Sequence, residues 1–99
     1  MTQPYEYKKS KLHQEGVSLS ELADRFGTPA FVYSKARLIS CYRSLSDALS
    51  GLKFKINYSV KANSNLSMLA LLKEEGAGFD IVSAGELNRV LAILSLIHI

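Results

Sequence analysis

The chain has 99 residues, of which 47% are hydrophobic and 21% are charged, which is typical of one small folded domain and not of a disordered segment. The formal charge is +3, and apart from Lys8, Lys9 and Lys11 the basic residues are scattered, so no nucleic-acid-binding stripe is present. The lone cysteine, Cys41, excludes an internal disulfide, and the sequence has no metal-ligand spacing. Because no apolar run resembles a signal peptide or could span a bilayer, we expect a cytoplasmic protein with no membrane or nucleic-acid partner.

The first 35 residues are predicted to be a lead-in segment with one helix and one short strand. Residues 1–16 have no clear periodicity and predict an irregular or weakly extended stretch. Ser18 followed by Glu21 is a capping box, and Gly27 is a typical helix terminator, so a helix is expected over residues 19–26. The next run, PAFVYS, is rich in β-forming residues and predicts a short strand.

A second helix is predicted to begin after Ser34, a good N-cap residue, and to stop at Gly51. Apolar residues recur along it at helical spacing. They are Leu38, Cys41, Tyr42, Leu45 and Leu49. We therefore expect this face to be buried and Cys41 to be a packed core thiol.

Residues 53–61, KFKINYSVK, alternate strictly between apolar and polar side chains. Such alternation predicts a strand with two different faces. The apolar face consists of Phe54, Ile56, Tyr58 and Val60. The other face contains Asn57 and Ser59 and ends at Lys61, so this amine is predicted to lie at the C-terminal end of a strand.

After this strand the pattern is helix, strand and helix. A helix is expected between Asn65 and Gly76, a strand over GFDIVS, and a helix in SAGELNRVLAI, where Ser83 and Glu86 have capping-box spacing. Helices of this length serve as crossovers between parallel strands, which are normally covered on both faces. Two βα units cannot stand alone, so residues 36–93 predict the start of an α/β fold that is completed either as a larger parallel sheet or as a closed (β/α)8 barrel.

The last six residues, 94–99, read LSLIHI and look like the translation of a transposon-end adaptor used in sequencing libraries. We expect this tail to be an artefact of assembly. Alternatively, its apolar residues continue the apolar face of the last helix, and the composition leaves both possibilities open.

Lys61 is the candidate reactive residue, because the carboxyl ends of barrel strands line the active site in folds of this kind. Partial desolvation there would favour the neutral amine, which is the form that reacts with an aldehyde to give a Schiff base. Alternatively, Lys61 is an ordinary solvated lysine, which is the commoner state of this residue type.

Three motifs in one register resemble a known family. They are FGTPAFVYSKARL, YSVKANSN and GAGFDIVSAGEL, and the similarity extends from about Leu19 to Ile93. Together they are similar to the opening part of the diaminopimelate decarboxylases, which are fold-type III pyridoxal-phosphate decarboxylases with an alanine-racemase-like barrel. The resemblance implies that residues 36–93 are the N-terminal part of this (β/α)8 barrel, which binds pyridoxal phosphate, truncated after about two βα units. The tetrapeptide VKAN at residues 60–63 is shared with ornithine, arginine and carboxynorspermidine decarboxylases, whereas GTPAFVYS and GFDIVSAGEL favour the diaminopimelate branch.

The resemblance implies roles for three residues and no metal. Lys61 matches the lysine that forms the Schiff base with pyridoxal 5'-phosphate. Asp80, near the start of the second predicted strand, matches an acidic residue near the cofactor, although it could instead bond to local backbone. Glu86 matches a glutamate close to the active site, although a capping box with Ser83 would account for it completely.

The resemblance implies that the complete protein decarboxylates meso-2,6-diaminopimelate to L-lysine in lysine biosynthesis, as a homodimer acting on an amino-acid substrate. The alternatives are a decarboxylase of the same fold for arginine, ornithine or carboxynorspermidine, and a non-catalytic pyridoxal-phosphate-binding barrel. The family's glycine-rich phosphate loop and specificity residues would lie beyond residue 99. We therefore expect the 99-residue chain to be inactive by itself.

Overall fold

The computed structural model describes residues 4–97 and the side chains of residues 4–94. The chain divides into two compact units, an amino-terminal unit that ends at Cys41 and a carboxy-terminal unit that begins at Tyr42. Each unit has its own small sheet, antiparallel in the first and parallel in the second.

The amino-terminal unit begins with a small antiparallel sheet. Strands β1 (Tyr5–Lys8), β2 (Lys11–Gln14) and β3 (Val17–Ser18) are neighbours in that order. Both connections are two-residue turns in which each residue has a positive φ, at residues 9–10 and 15–16. Of the two expectations for residues 1–16, an irregular or a weakly extended stretch, the extended one holds for the described part, and the irregular one was wrong because tight turns pair short segments that lack an alternating pattern.

The first helix has the bounds that its capping residues predict. Helix α1 (Leu19–Phe26) follows Ser18, whose Oγ accepts a hydrogen bond from the backbone N–H of Glu21 at 3.4 Å. Gly27, with φ +83°, donates its N–H to the carbonyl of Ala23 at 2.8 Å and ends the helix.

Residues 29–34, the PAFVYS run, belong to no strand or helix. The rings of Phe31 and Tyr33 stack at a centroid distance of 6.4 Å, and Phe31 is 89% exposed. The predicted short strand is therefore wrong for this run. A strand requires a hydrogen-bonded neighbour, and none of β1 to β3 pairs with these residues.

Helix α2 (Lys35–Ala48) is capped by Ser34, whose Oγ accepts from the N–H of Arg37 at 3.0 Å. None of its residues is buried, and both Cys41 and Leu45 are exposed. The prediction of a buried face with a core thiol was wrong. Helical spacing identifies which face is apolar, but only a neighbouring element can bury that face.

The carboxy-terminal unit is a strand–helix–strand–helix arrangement. Strand β4 (Asn57–Ser59) pairs in parallel with β5 (Gly78–Asp80), and helix α3 (Leu66–Glu74) lies between them in sequence. Helix α4 (Ala84–Ile97) follows β5. This parallel unit confirms the predicted α/β class.

The strand predicted over residues 53–61 was too long. Residues 53–56 lie outside any strand, and the chain leaves β4 at Ser59 to enter a short 3-10 helix over Val60–Ala62. The alternating pattern of residues 53–61 extends beyond the pairing, because β4 and β5 share only three paired positions. Helix α3 begins at the predicted place, with Asn65 Oδ1 accepting from the N–H of Met68 at 3.2 Å.

The core of this unit is a cluster of four buried residues from three elements. They are Val60, Leu69, Val90 and Ile93. Full burial of one such aliphatic side chain contributes about 1.5–3 kcal/mol. Leu94 packs against the cluster and α4 extends to Ile97, while His98 and Ile99 lie outside the described residues. The assignment of residues 94–99 to an artefactual tail stays a prediction.

An ion pair connects α2 to the C-terminal end of α3. The guanidinium of Arg43 binds both carboxylate oxygens of Glu75, at 3.0 Å through Nε and 2.9 Å through Nη2. These contacts raise the pKa of Arg43 above its ordinary value, first through the hydrogen bond and then through the charge of Glu75. Arginine is suited to such two-point pairing because its donors form a planar fork.

We expect the 99-residue chain by itself to lack a cooperative unfolding transition. Among the described residues six hydrophobic side chains are buried, whereas fourteen large hydrophobic side chains are exposed. A core of this size is too small to offset the conformational entropy of the chain. Thermal circular dichroism should show a gradual change, and a dye specific for exposed apolar surface should bind. A sharp transition without dye binding would contradict this expectation.

Candidate functional site

Lys61 lies in the 3-10 helix directly after β4, next to the fully buried Val60. Its own side chain is exposed. The sequence placed Lys61 on a strand face shared with Asn57 and Ser59, and this was wrong because the strand ends before it. The expected partial desolvation is likewise not produced by the described residues.

A cleft of about 350 Å³ surrounds this position. Its lining residues are Val60, Lys61, Ser64, Ser83, Gly85, Glu86 and Arg89. They come from the segment that follows β4 and from the segment that follows β5, including the start of α4. Because β4 and β5 are parallel and end in register at Ser59 and Asp80, both segments emerge at the same edge of the sheet. Ligands of α/β folds bind at this edge.

The segment that carries Lys61 is held by hydrogen bonds from two elements. The hydroxyl of Tyr58, on β4, donates to the carbonyl of Asn63 at 3.1 Å. The guanidinium of Arg89, on α4, donates through Nη1 to the carbonyl of Ser64 at 3.2 Å. Within the segment, the N–H of Asn65 donates to Asn63 Oδ1 at 3.0 Å.

Glu86 lines the cleft and also caps α4. Its backbone N–H donates to Ser83 Oγ at 3.1 Å, and its own Oε1 accepts from the N–H of Val82 at 3.1 Å. The predicted capping box is thus confirmed in a variant form, because the carboxylate bonds to Val82 and not to Ser83. The same contacts place a carboxylate beside the cleft that contains Lys61.

Asp80 occupies a different position from the one expected. It is the last residue of β5, opposite Ser59, and not near the start of a longer strand. Its side chain is exposed and does not line the cleft. The structure therefore brings Lys61 and Glu86 together in the cleft, whereas Asp80 lies at the same edge of the sheet but outside the cleft lining.

Arg89 also lines the cleft and was not predicted from the sequence. Its position three residues after Glu86 places both side chains on the same side of α4, which was a usable signal. Among residues 4–97, no group of histidine, cysteine and acidic side chains could hold a metal ion. In the same part of the chain, no helix combines the length and apolar character that crossing a membrane requires.

Comparisons with known proteins agree on one similarity. A family model described as "Pyridoxal-dependent decarboxylase, pyridoxal binding domain" matches residues 35–95. The diaminopimelate decarboxylase of Pseudomonas aeruginosa is 53% identical over 88 residues, which are 89% of this chain and 21% of that protein. The chain thus spans about a fifth of the length of the curated relatives it matches.

Solved structures show the same likeness. A crystal structure of an Aquifex aeolicus protein superposes with a TM-score of 0.85 at 43% identity, over 91% of this chain and 22% of that one. The diaminopimelate decarboxylase of M. jannaschii, in complex with L-lysine, superposes with a TM-score of 0.78 at 32% identity, again over 91% and 22%. These superpositions confirm the predicted fold class, the N-terminal part of an alanine-racemase-like barrel.

We expect Ser83→Ala to lower the free energy of unfolding by about 1 kcal/mol, because the first turn of α4 loses its side-chain acceptor. The measurement is urea unfolding of a protein with the full length of its relatives. Ser67→Ala, at an exposed position of α3, is the matched control and should change the free energy by less than about 0.5 kcal/mol. Equal effects of the two substitutions would contradict a capping role.

Proposed function

Because the chain belongs to the pyridoxal-dependent decarboxylases, as part of their pyridoxal-binding domain, we propose that it is the N-terminal part of a diaminopimelate decarboxylase. The complete protein would remove one carboxyl group of meso-2,6-diaminopimelate as carbon dioxide and release L-lysine. The names of the matched relatives and the L-lysine in the M. jannaschii complex support this substrate.

One observation carries the proposal. The amine of Lys61 is exposed in a cleft at the carboxyl edge of a parallel strand pair, inside the segment that matches the pyridoxal-binding domain. Among the described residues, no hydrogen bond or ion pair involves the primary amine of Lys61, so this amine is available to react with a cofactor that has an aldehyde group. Bound pyridoxal 5'-phosphate acts as an electron sink for the bond that breaks.

The residues of this chain would bind and orient. Lys61 would hold the cofactor through its side-chain amine. Glu86 contributes a fixed negative charge to a cleft that also contains two cations, Lys61 and Arg89, and so offsets part of their positive charge. We propose that Asp80, at the edge where β5 ends, adds a second carboxylate near the cofactor in the complete protein.

The proposal also includes a homodimer and a cytoplasmic location for the complete protein. Both follow from the sequence interpretation alone and stay predictions. Light scattering of the complete protein would measure its mass in solution, and a mass of one chain would contradict the dimer.

In the complete protein, Lys61→Ala should abolish the visible absorbance of bound cofactor and reduce decarboxylation to background. The reason is that the substitution removes the amine that would hold the cofactor. Lys55→Ala is the matched control, because it removes an exposed lysine that does not line the cleft and should retain both signals. An active Lys61→Ala variant would remove Lys61 from its proposed role.

Carbon dioxide release should separate the possible substrates. The complete protein should release it from meso-2,6-diaminopimelate with a higher kcat/KM than from arginine, ornithine or carboxynorspermidine, since those substrates lack the second amino-acid centre. A preference for any of these three would overturn the substrate assignment while leaving the cofactor chemistry in place.

A further inference from the structure

Two successive carbonyls after Lys61 are each bound by a side chain from a different element. Tyr58 on β4 donates to the carbonyl of Asn63, and Arg89 on α4 donates to the carbonyl of Ser64, at 3.1 and 3.2 Å. Neither bond touches Lys61. Both act on the backbone that determines where Lys61 stands.

The two donors are connected to the core in different ways, because Tyr58 packs against it and the exposed side chain of Arg89 starts beside a core residue. Tyr58 is partly buried and packs against the core cluster. Arg89 immediately precedes Val90, which is a member of that cluster, so the backbone of Arg89 is held by its buried neighbour. The segment that carries Lys61 therefore begins at buried Val60 and is held again at Asn63 and Ser64.

An arginine suits this position for a physical reason. Its guanidinium stays charged and carries several donors in one plane, and a hydrogen bond from a charged donor to a carbonyl is stronger than a neutral one. Arg89 also lines the cleft with Lys61, so the bond holds the wall of the cleft itself.

We infer that Arg89, together with Tyr58, is a positioning residue for Lys61. Holding the carbonyls of Ser64 and Asn63 keeps the backbone of the segment in one arrangement, so that the long, flexible lysine side chain starts from a fixed point beside the cleft. The advantage is that the backbone around Lys61 is already ordered before a ligand binds, so that binding does not have to offset the entropy lost in ordering it. This inference rests on the proposed function, because it treats Lys61 as the residue that reacts.

The test uses the complete protein and four variants: R89A, R89K, Y58F and R43A. R43A is the matched control, since it removes an arginine that binds a neighbour elsewhere in the same unit and does not line the cleft. The first measurement is deuterium uptake by the backbone amides of residues 61–65 in cofactor-free protein. The second is the rate at which that protein acquires visible absorbance after pyridoxal 5'-phosphate is added.

R89A should increase deuterium uptake in residues 61–65 and slow the appearance of absorbance by about 10- to 100-fold, the cost of a misplaced reacting group. R89K keeps the charge and a donor, so it should recover part of the rate. Y58F should also increase uptake in the same residues. R43A should leave uptake in residues 61–65 and the rate at their wild-type values.

Wild-type uptake and rate in R89A would overturn the inference. If R89A fails to fold, Y58F decides, because it removes one hydroxyl and leaves α4 intact. Increased uptake and a slower rate in Y58F support the inference, and wild-type values overturn it. A failure of the proposed role of Lys61 can be told apart from a failure of this inference. It would appear as full visible absorbance of the Lys61→Ala variant with pyridoxal 5'-phosphate, whatever the Arg89 variants show.

Discussion

The parallel pairing of β4 with β5, followed at once by the burial of Val60, is the constraint on which the cleft depends. The pairing ends in register at Ser59 and Asp80, so the segments that follow both strands begin at one edge. Val60 then enters the core with no exposed surface. In a 3-10 helix successive residues are about 120° apart, so a buried Val60 directs Lys61 away from the core.

Helix α4 extends the same principle. Glu86, Arg89, Val90 and Ile93 have the spacing of one broad helix face. The later two belong to the core, and the earlier two line the cleft. The face that packs the unit together therefore becomes polar toward the N-terminal end of the helix, where the sheet stops. For this reason the cleft is continuous with the core, and Val60 belongs to both. A change in the packing of the core would therefore shift the residues that line the cleft.

The similarity to known decarboxylases and the local geometry concern the same part of the chain. The family model covers residues 35–95, which contain the parallel strand pair and every residue that lines the cleft. The geometry adds what a match cannot state. It shows Lys61 exposed, Glu86 bonded to the N–H of Val82, and the backbone after Lys61 held by Tyr58 and Arg89.

Helix ends were determined by the sequence itself, because the groups that cap a helix are its own neighbours in the chain. Ser18, Asn65 and Ser83 each cap the helix that their positions predict. The motif around Lys61 and the spacing of Ser83 and Glu86 are likewise local features of the chain. The spacing predicts the cap of α4, whereas it is the family resemblance that singled out Lys61 and Glu86, and both line the cleft.

Strand lengths and exposure were decided only in three dimensions. A strand exists only where another strand pairs with it. The alternating run at residues 53–61 therefore contains a strand of only three residues, and the PAFVYS run forms no strand. Burial likewise needs a packed neighbour, which is why Cys41 is exposed on an apolar face. The hydrogen bond of Arg89 joins residues 25 positions apart, and no local pattern encodes such a contact because it depends on how the elements pack.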